Sequence, residues 1–224
     1  TQTSDGVVVA GATVIDADSD DDSNNAVTLT ASTNAFTGAV SVDDGAAVSI
    51  TDSAALELGT VTVDSLVLVT DGAITQAGVV TVSSTTSIDA DGDDDGTDSA
   101  VTLTQGANDF GGAVSITDGA TAVSITDASG LILGELTASS LNVISDGDLT
   151  QTAALVLSGN LIVDVDSDND TNNQVTLTQS DNDITGSVLI TDGSSVAIMD
   201  NGHIRVGDPV DWNSITVNFG GNIQ

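Results

Sequence analysis

Short runs in which apolar and polar residues alternate dominate this chain, and they recur at a fixed spacing. Val27-Thr28-Leu29-Thr30 returns at residues 101–104 and again at 175–178, 74 residues apart each time. Alternation with a period of two places every second side chain on the same face of an extended strand. The pattern therefore predicts a single array of three tandem β-rich units, roughly residues 1–75, 76–150 and 151–224.

A shorter period divides each unit into coils. In the first unit, strand-like runs begin at Ala47, Leu66 and Thr86, 19 and 20 residues apart, which suits one coil of a solenoid. Parallel strands cannot be joined by tight hairpins, and a solenoid places each strand's partner one coil away. The sequence predicts an all-β, right-handed parallel β-helix with three coils of three strands in each unit. Two further columns of strands complete it: Leu56–Gly59, Ala73–Gln76 and Val101–Thr104 in one, and Thr60–Val63, Val79–Ser83 and Ala113–Ile116 in the other.

The alternation also predicts which side chains form the core. Val48 and Ile50, and then Val61 and Val63, should point inward and stack in columns, while Ser, Thr and Asp face water. Turns of the type Thr-Asp-Gly or Ser-Asp-Gly, as at Thr70–Gly72, supply the corners, where we expect glycine to adopt positive φ. An antiparallel sandwich repeat of the immunoglobulin type is the competing interpretation. It takes about 100 residues and gives no reason for the shorter period.

These runs resemble the β-helical repeat regions of large bacterial surface and secreted proteins, of the filamentous-haemagglutinin and autotransporter-passenger kind. The resemblance rests on segments such as Gly112-Ala113-Val114-Ser115-Ile116-Thr117-Asp118-Gly119 and Gly72-Ala73-Ile74-Thr75-Gln76, and it extends over the whole chain. It implies an exported, elongated rod that serves in adhesion, aggregation or a surface coat. It assigns no functional residue.

Charge narrows the range of partners. The chain has 34 acidic residues against one basic residue, a formal net charge of −33, so it repels nucleic acids and anionic membranes. Such a charge with 2% aromatic residues could indicate disorder, but 39% of the residues are hydrophobic and fall in alternating runs. Cysteine is absent, and the apolar runs are far shorter than the roughly 20 residues that span a bilayer.

Once in each unit the coil is interrupted by an acidic loop with four Asp at alternate positions. Alternate residues of an extended segment face the same side, so their carboxylates crowd one edge, and a hard cation with oxygen ligands relieves the repulsion. Calcium is the natural candidate. The predicted metal ligands are Asp16, Asp18, Asp20 and Asp22 in the first unit, Asp89, Asp91, Asp93 and Asp95 in the second, and Asp164, Asp166, Asp168 and Asp170 in the third.

The loops do not follow the known calcium motifs. In the EF-hand pattern the sixth position is Gly and the twelfth is Glu, whereas the middle loop has Asp94 and Ala100 there. The calcium-binding nonapeptide with paired glycines is also missing. The alternative is that the loops are solvated charge that only keeps the rod soluble.

Catalytic residues are scarce. The whole chain has one His and one Arg, His203 and Arg205, and no Lys, Cys or Tyr. Polysaccharide lyases and hydrolases built on β-helices need an acid pair or basic residues gathered in a cleft. Ile204 and Val206 fall at the inward positions, so Arg205 should be an exposed surface charge. We expect a protein that is not an enzyme.

The end of the third unit is the one place where unusual residue types gather. An interface that binds a glycan or a protein through Arg205 and Trp212 is the second function class to consider, and ordinary divergence of a terminal repeat is the alternative explanation. The residues concerned are Met199, His203, Arg205, Pro209, Trp212 and Phe219.

The first function class is an extracellular structural rod or filament. The chain opens with Thr1-Gln2 and stops at Ile223-Gln224, so its ends are nearly complementary in the phase of the repeat. A chain that begins without Met is expected to be a mature or excised piece. We expect it either to continue into flanking repeats or to stack head to tail with copies of itself, since the end coil of a solenoid exposes unpaired backbone groups.

Overall fold

Parallel β-strands stacked in coils form the structure, a computed structural model that describes residues 1–18, 23–118, 120–167 and 173–206 and the backbone of residues 212–219. Every strand pairing in the described part is parallel, and no helix occurs there. The strands are β1 (Val8–Val9), β2 (Thr13–Asp16), β3 (Asn25–Leu29), β4 (Ala35–Phe36), β5 (Val40–Asp52), β6 (Leu56–Thr70), β7 (Ile74–Gln76), β8 (Val80–Val82), β9 (Thr86–Asp89), β10 (Val101–Leu103), β11 (Asp109–Phe110), β12 (Ala113–Asp118), β13 (Val123–Asp127), β14 (Ile132–Ala138), β15 (Leu141–Ser145), β16 (Leu149–Gln151), β17 (Leu155–Leu157), β18 (Leu161–Asp164), β19 (Gln174–Leu177), β20 (Asp183–Ile184), β21 (Ser187–Asp200), β22 (Arg205–Val206) and β23 (Trp212–Phe219).

The predicted fold class is confirmed: the described strands stack as a β-solenoid of about nine turns, built from three repeats of which the last is described only in part. Each strand pairs with strands of the neighbouring coils, as the 19 to 20 residue period requires. Val48 lies beside Leu66, and Leu66 beside Thr86. In the second column, Leu56, Ile74 and Val101 are stacked in the same way.

The third predicted column is correct in its first two members and wrong in the last. Val61 pairs with Val80, but the next strand in that column is β11, where Phe110 pairs with Val82. β12 was predicted to lie there and instead stacks on β9, with Val114 beside Thr86. The alternating pattern missed β11, a strand of two residues that follows β10 and fills this column before β12 begins.

The register has a consequence for the repeat. Seven successive pairings lead from β3 to its copy in the third unit, β19, by way of β5, β6, β9, β12, β14 and β16. We call this stack column A. The middle copy, β10, lies in a second stack, column B, which runs from β2 through the first halves of β5 and β6 to β7, β10, β13, β15, β18 and the first half of β21. Two units thus span seven coils, and consecutive units differ by half a turn; the prediction of three whole coils per unit omitted this half coil.

The core follows the predicted alternation. Val48, Ile50, Val61 and Val63 are all buried, and the buried apolar side chains form one cluster that extends from Val27 to Ile204. Burial of these aliphatic side chains on stacking is the main favourable contribution to the fold. Within the described residues, no helix is present that could cross a membrane.

Three buried asparagines interrupt this apolar core, one in each unit. Asn108 has no exposed surface. Its Oδ1 accepts a hydrogen bond from the Val80 amide at 2.9 Å, in the coil below, and its Nδ2 donates to the carbonyls of Leu103 at 3.2 Å and Thr126 at 3.3 Å. Gln76 exchanges two side-chain hydrogen bonds with it, each 2.9 Å long. One side chain therefore connects three consecutive coils.

The same arrangement recurs in the other units. Asn34 and Asn182 are equally buried, and each bonds a backbone amide of the coil below and carbonyls of its own coil and of the coil above. Gln2 and Gln151 take the place of Gln76. We call these three residues the asparagine clamps.

A buried aspartate follows each clamp. Asp127 Oδ2 accepts the Phe110 amide at 2.8 Å, and Oδ1 accepts the Ser129 amide at 2.7 Å. Asp52 and Asp200 make the equivalent pair of bonds in the other units. Burial raises the pKa of the Asp127 carboxyl, although the hydrogen bonds from Phe110 and Ser129 act in the opposite direction.

The corner glycines have a different role from the one predicted. Among the described glycines only Gly96 has positive φ, so Gly72 and Gly147 do not. A Cβ on Gly72 would lie 2.7 Å from the Ala55 amide nitrogen, and one on Gly147 would lie 2.6 Å from that of Gly130. Glycine is required there because the corners of consecutive coils approach too closely for a side chain.

We predict that Asn108→Ala lowers the stability of the chain by about 3 kcal/mol or more, because it leaves a buried amide and two buried carbonyls unpaired, at about 1–3 kcal/mol for each group. The matched control is Asn142→Ala, which changes a half-buried residue on the outer side of β15. Urea unfolding followed by circular dichroism measures both. Equal midpoints for the two variants would show that the clamp contributes nothing particular.

Candidate functional site

The three acidic loops begin with the same local structure. Each leaves the end of a strand at an aspartate whose Oδ1 accepts the amide two residues later: Asp16 from Asp18 at 3.1 Å, Asp89 from Asp91 at 3.1 Å, and Asp164 from Asp166 at 3.3 Å. Aspartate favours such turns because its short side chain reaches its own backbone. The first Asp of each loop is therefore used to fold the loop.

The second Asp of each loop turns inward. Asp18 and Asp91 are each 4% exposed and Asp166 is 7% exposed, which is unusual for a carboxylate. Asp91 Oδ2 accepts the Gly96 amide at 3.0 Å, and Asp18 Oδ2 accepts the Ser23 amide at 2.6 Å. These bonds close the loop around the buried carboxylate.

The other oxygen of this carboxylate has no such bond in two of the loops. Asp91 Oδ1 and Asp18 Oδ1 are buried, and neither has a hydrogen-bond partner within the described part of the chain. A buried polar atom normally has a hydrogen-bond partner, because removing it from water without a new hydrogen bond costs free energy. The middle loop, which is described in full, is the best place to see what lies near it.

An aspartate from the preceding coil completes a cluster there. The turn at Thr70–Gly72 lies against the middle loop, where the Gly92 amide donates to the Thr70 carbonyl at 2.9 Å. One carboxylate oxygen each from Asp71, Asp91 and Asp93 lie within 4.8 Å of one another. We call these three residues the Asp71 cluster.

The cluster agrees only in part with the twelve predicted ligands. Asp91 and Asp93 belong to it and Asp89 and Asp95 do not. The Oδ1 atoms of Asp89, Asp93 and Asp95 each accept the amide two residues later, so Asp93 has its other oxygen left for a ligand role. Asp71 was not predicted. The sequence does hold a signal for it, because Asp71 lies one coil of about 20 residues before the loop. The predicted ligands Asp20, Asp22, Asp168 and Asp170 lie outside the described residues.

Desolvation, side-chain hydrogen bonds and neighbouring charges favour the protonated form of two aspartates in this region. Desolvation and the neighbouring charge of Asp93 raise the pKa of Asp71. In the coil above, a side-chain hydrogen bond with Asp94, desolvation and the charge of Asp89 raise the pKa of Asp118. The acidic loop is thus placed between acidic residues of the coils below and above it.

The half-turn between units places the loops on two edges of the solenoid. The first loop leads from β2 to β3 and the third from β18 to β19, both from column B to column A, whereas the middle loop leads from β9 in column A to β10 in column B. A chain that winds in one direction makes these two passages on opposite edges. The middle loop therefore lies opposite the other two.

The Arg205 region forms a separate feature at the other end of the described chain. Arg205 and His203 are exposed and Ile204 is buried, as predicted from the alternation. Arg205 and His203 line a groove of about 300 Å³ together with Asp183, Ile184, Thr185 and Gly202. The backbone of Trp212 pairs with Gly193; the side chains of Trp212 and Phe219, and all of Pro209, lie outside the described residues.

Comparison with known proteins gives one match. A family model described as repeats of unknown function matches the chain three times in succession, over residues 1–43, 45–117 and 120–191. No curated protein and no solved structure matches the chain.

We predict that the melting temperature of the chain in chelator rises as the pH falls from 7 towards 4. The pKa of an Asp carboxyl in the unfolded chain is about 3.9. Where the fold raises this pKa, the ionised carboxylate destabilises the folded state, and protonation at lower pH removes the destabilisation. Asp118→Asn should flatten the rise, whereas Glu57→Gln, on the outer face of β6, should leave it unchanged. A melting temperature that falls steadily over this range would contradict the prediction.

Proposed function

Since the chain belongs to the DUF5649 family of repeats, we propose that it is structural repeat material: an extracellular rod or filament building block for adhesion, a coat or a matrix at the cell surface. The observation that carries this proposal is the single apolar cluster that extends from Val27 to Ile204 along the stacked coils. A stack of this kind lengthens by adding units without changing its cross-section. The proposal includes no catalysis, because the chain has one His and one Arg.

The first coil supports continuation of the stack beyond this chain. Ile15 is only partly buried, whereas Ile88, at the same place in the next unit, has no exposed surface. Val7 and Val9 differ from Val80 and Val82 in the same way. β2 pairs with β5 alone among the described strands, so its other edge is available. A flanking repeat or the end coil of a second copy would cover these groups.

Calcium is the proposed stabiliser of the rod. The net charge of −33 opposes close stacking of acidic coils, and alternate Asp residues supply the oxygen ligands that calcium prefers. Extracellular calcium sites work at about 10⁻⁴–10⁻³ M, a range that suits exposed loops. This supports an extracellular location, together with the resemblance to the repeat regions of adhesins and autotransporter passengers.

We predict that a chain with six units is longer than the three-unit chain by about 50 Å, because each unit adds half of seven coils at about 4.8 Å per coil. Small-angle X-ray scattering gives the maximum dimension, and electron microscopy of negatively stained particles gives the shape. An unchanged cross-section is expected for both chains. A six-unit chain that collapses into a compact particle, or shows two separate globules, would contradict the rod.

The groove beside Arg205 favours a second candidate function, a module that binds a glycan or a partner protein. It brings the one guanidinium and the one imidazole of the chain to the same surface as the Asp183 carboxylate, a mixed set of donors and acceptors of the kind that fixes polar ligands.

We expect a binding module of this kind to retain a ligand on a glycan array or in a pull-down, and to lose it on Arg205→Gln or Trp212→Ala. Glu57→Gln serves as the control, since Glu57 is exposed on the outer face of the first unit. Self-association without any retained ligand would favour the rod alone.

A further inference from the structure

The Asp71 cluster has the dimensions of a cation site. Its three carboxylate oxygens lie within 4.8 Å of one another. Oxygen ligands lie about 2.3–2.6 Å from calcium, so two ligands of one ion are at most about 5 Å apart. The three oxygens are therefore close enough to share one ion after a small rotation of their side chains.

Asp91 supplies an independent reason to place an ion there. Its side chain is 4% exposed, one of its oxygens accepts the Gly96 amide, and the other is buried with no hydrogen-bond partner within the described chain. A solvated loop would leave its carboxylates in water. Here the fold withdraws a carboxylate from water next to two others, an arrangement that costs free energy unless a cation compensates it.

The same feature recurs at equivalent positions of the other units. Asp18, the counterpart of Asp91 in the first loop, also has a buried Oδ1 without a partner in the described part of the chain. Asp146 lies in the Ser145–Gly147 turn, as Asp71 lies in the Thr70–Gly72 turn, and its Oδ1 is likewise buried and unpaired there. The inward loop residue thus shows the deficit in two units and the corner residue shows it in the third, whereas Asp71 itself is exposed.

We propose that a hard divalent cation binds between consecutive coils, held in the middle unit by Asp91 and Asp93 of the acidic loop and by Asp71 of the coil below. In the third unit, Asp166 and Asp146 occupy the corresponding positions. This inference rests on the proposed function in that it assigns the ligands of the stabilising ion. It replaces the four alternate aspartates of one loop by two of them and a residue from another coil.

The ligand from the coil below determines what the ion does. An ion held within one loop orders that loop alone. An ion shared with Asp71 joins two coils at their edge and neutralises the charges that stacking brings together. Because the middle loop lies on the opposite edge from the first and third, such ions would join coils alternately on the two edges of the rod.

Calcium titration of the full chain tests the site. Isothermal titration calorimetry and thermal melts are measured for the wild type, Asp71→Asn, Asp93→Asn and the double variant Asp71→Asn/Asp146→Asn. We expect the affinity of the altered site to fall roughly tenfold or more, since ligand charge sets calcium affinity. The double variant should lose most of the rise in melting temperature that calcium gives the wild type.

Two controls separate the site from general loop charge. Asp95→Asn removes the same charge from the same loop, and Asp109→Asn removes it from the exposed position of β11. Both variants should retain wild-type calcium affinity at the cluster. Circular dichroism in chelator confirms that each variant is folded. Asp93→Asn tests the same cluster from the loop side and does not alter the corner.

Three results would overturn the inference: no calcium uptake by the wild type, unchanged affinity in both Asp71→Asn and Asp93→Asn, or an equal loss in Asp95→Asn. None of these affects the rod itself. The length increment of the six-unit chain, measured in chelator, tests the rod independently of the ion, so failure of the site and failure of the proposed function are distinguishable.

Discussion

Register between coils is the constraint on which the rest of this structure depends. Every strand of a solenoid pairs with strands of neighbouring coils, and runs such as Val-Thr-Leu and Val-Ser-Ile would pair almost equally well after a slip of two residues, which keeps the same side chains inward. The asparagine clamps remove that freedom. Asn108 bonds atoms of three consecutive coils, and a slip would leave all of these buried groups unpaired.

Negative charge opposes the stacking that the clamps align. Among the described residues, the inward columns of Val, Ile and Leu contain no charged side chain. The described carboxylates lie at corners, in loops and at outward positions, apart from those that cap backbone amides, such as Asp127. Corners of consecutive coils lie very close together, as the contact between Gly72 and Ala55 shows. An aspartate beside such a glycine is therefore brought next to the acidic loop of the coil above, and desolvation together with the charges of that loop raises the pKa of Asp71.

Much of the fold could be predicted from the sequence, because a repeated alternation of apolar residues states directly which side chains point inward. The inward orientation of Val48 and Val61, for example, follows from this alternation alone. The half coil could not be predicted from spacing alone, since it depends on how far the acidic loop carries the chain around the edge before β10 begins. Asn108 was missed because an isolated Asn in Ala-Asn-Asp is typical of an exposed turn. The recurrence of an equivalent Asn and Gln in every unit was a signal that the strand pattern obscured.

For the candidate site, the sequence predicts the aspartates of the acidic loop but not Asp71, which lies at a corner of the coil below. Alternate Asp residues identify the chemistry, but which of them turn inward depends on the turn that Asp89 makes with the Asp91 amide. Asp71 is adjacent to the loop only in three dimensions. Sequence proximity thus favours ligands from one loop, whereas stacking combines residues one coil apart.

Because consecutive units differ by half a turn, the side of the rod on which a later feature lies depends on whether an odd or an even number of units precedes it. Duplication of one unit would rotate everything after it to the opposite side, so a partner that recognises one edge would find its target reversed. Duplication of two units restores the original orientation, seven coils or about 34 Å further along. Selection on any one-sided surface of such a rod would therefore favour growth in pairs of units, and a rod that gains single units would have to present equivalent features on both edges.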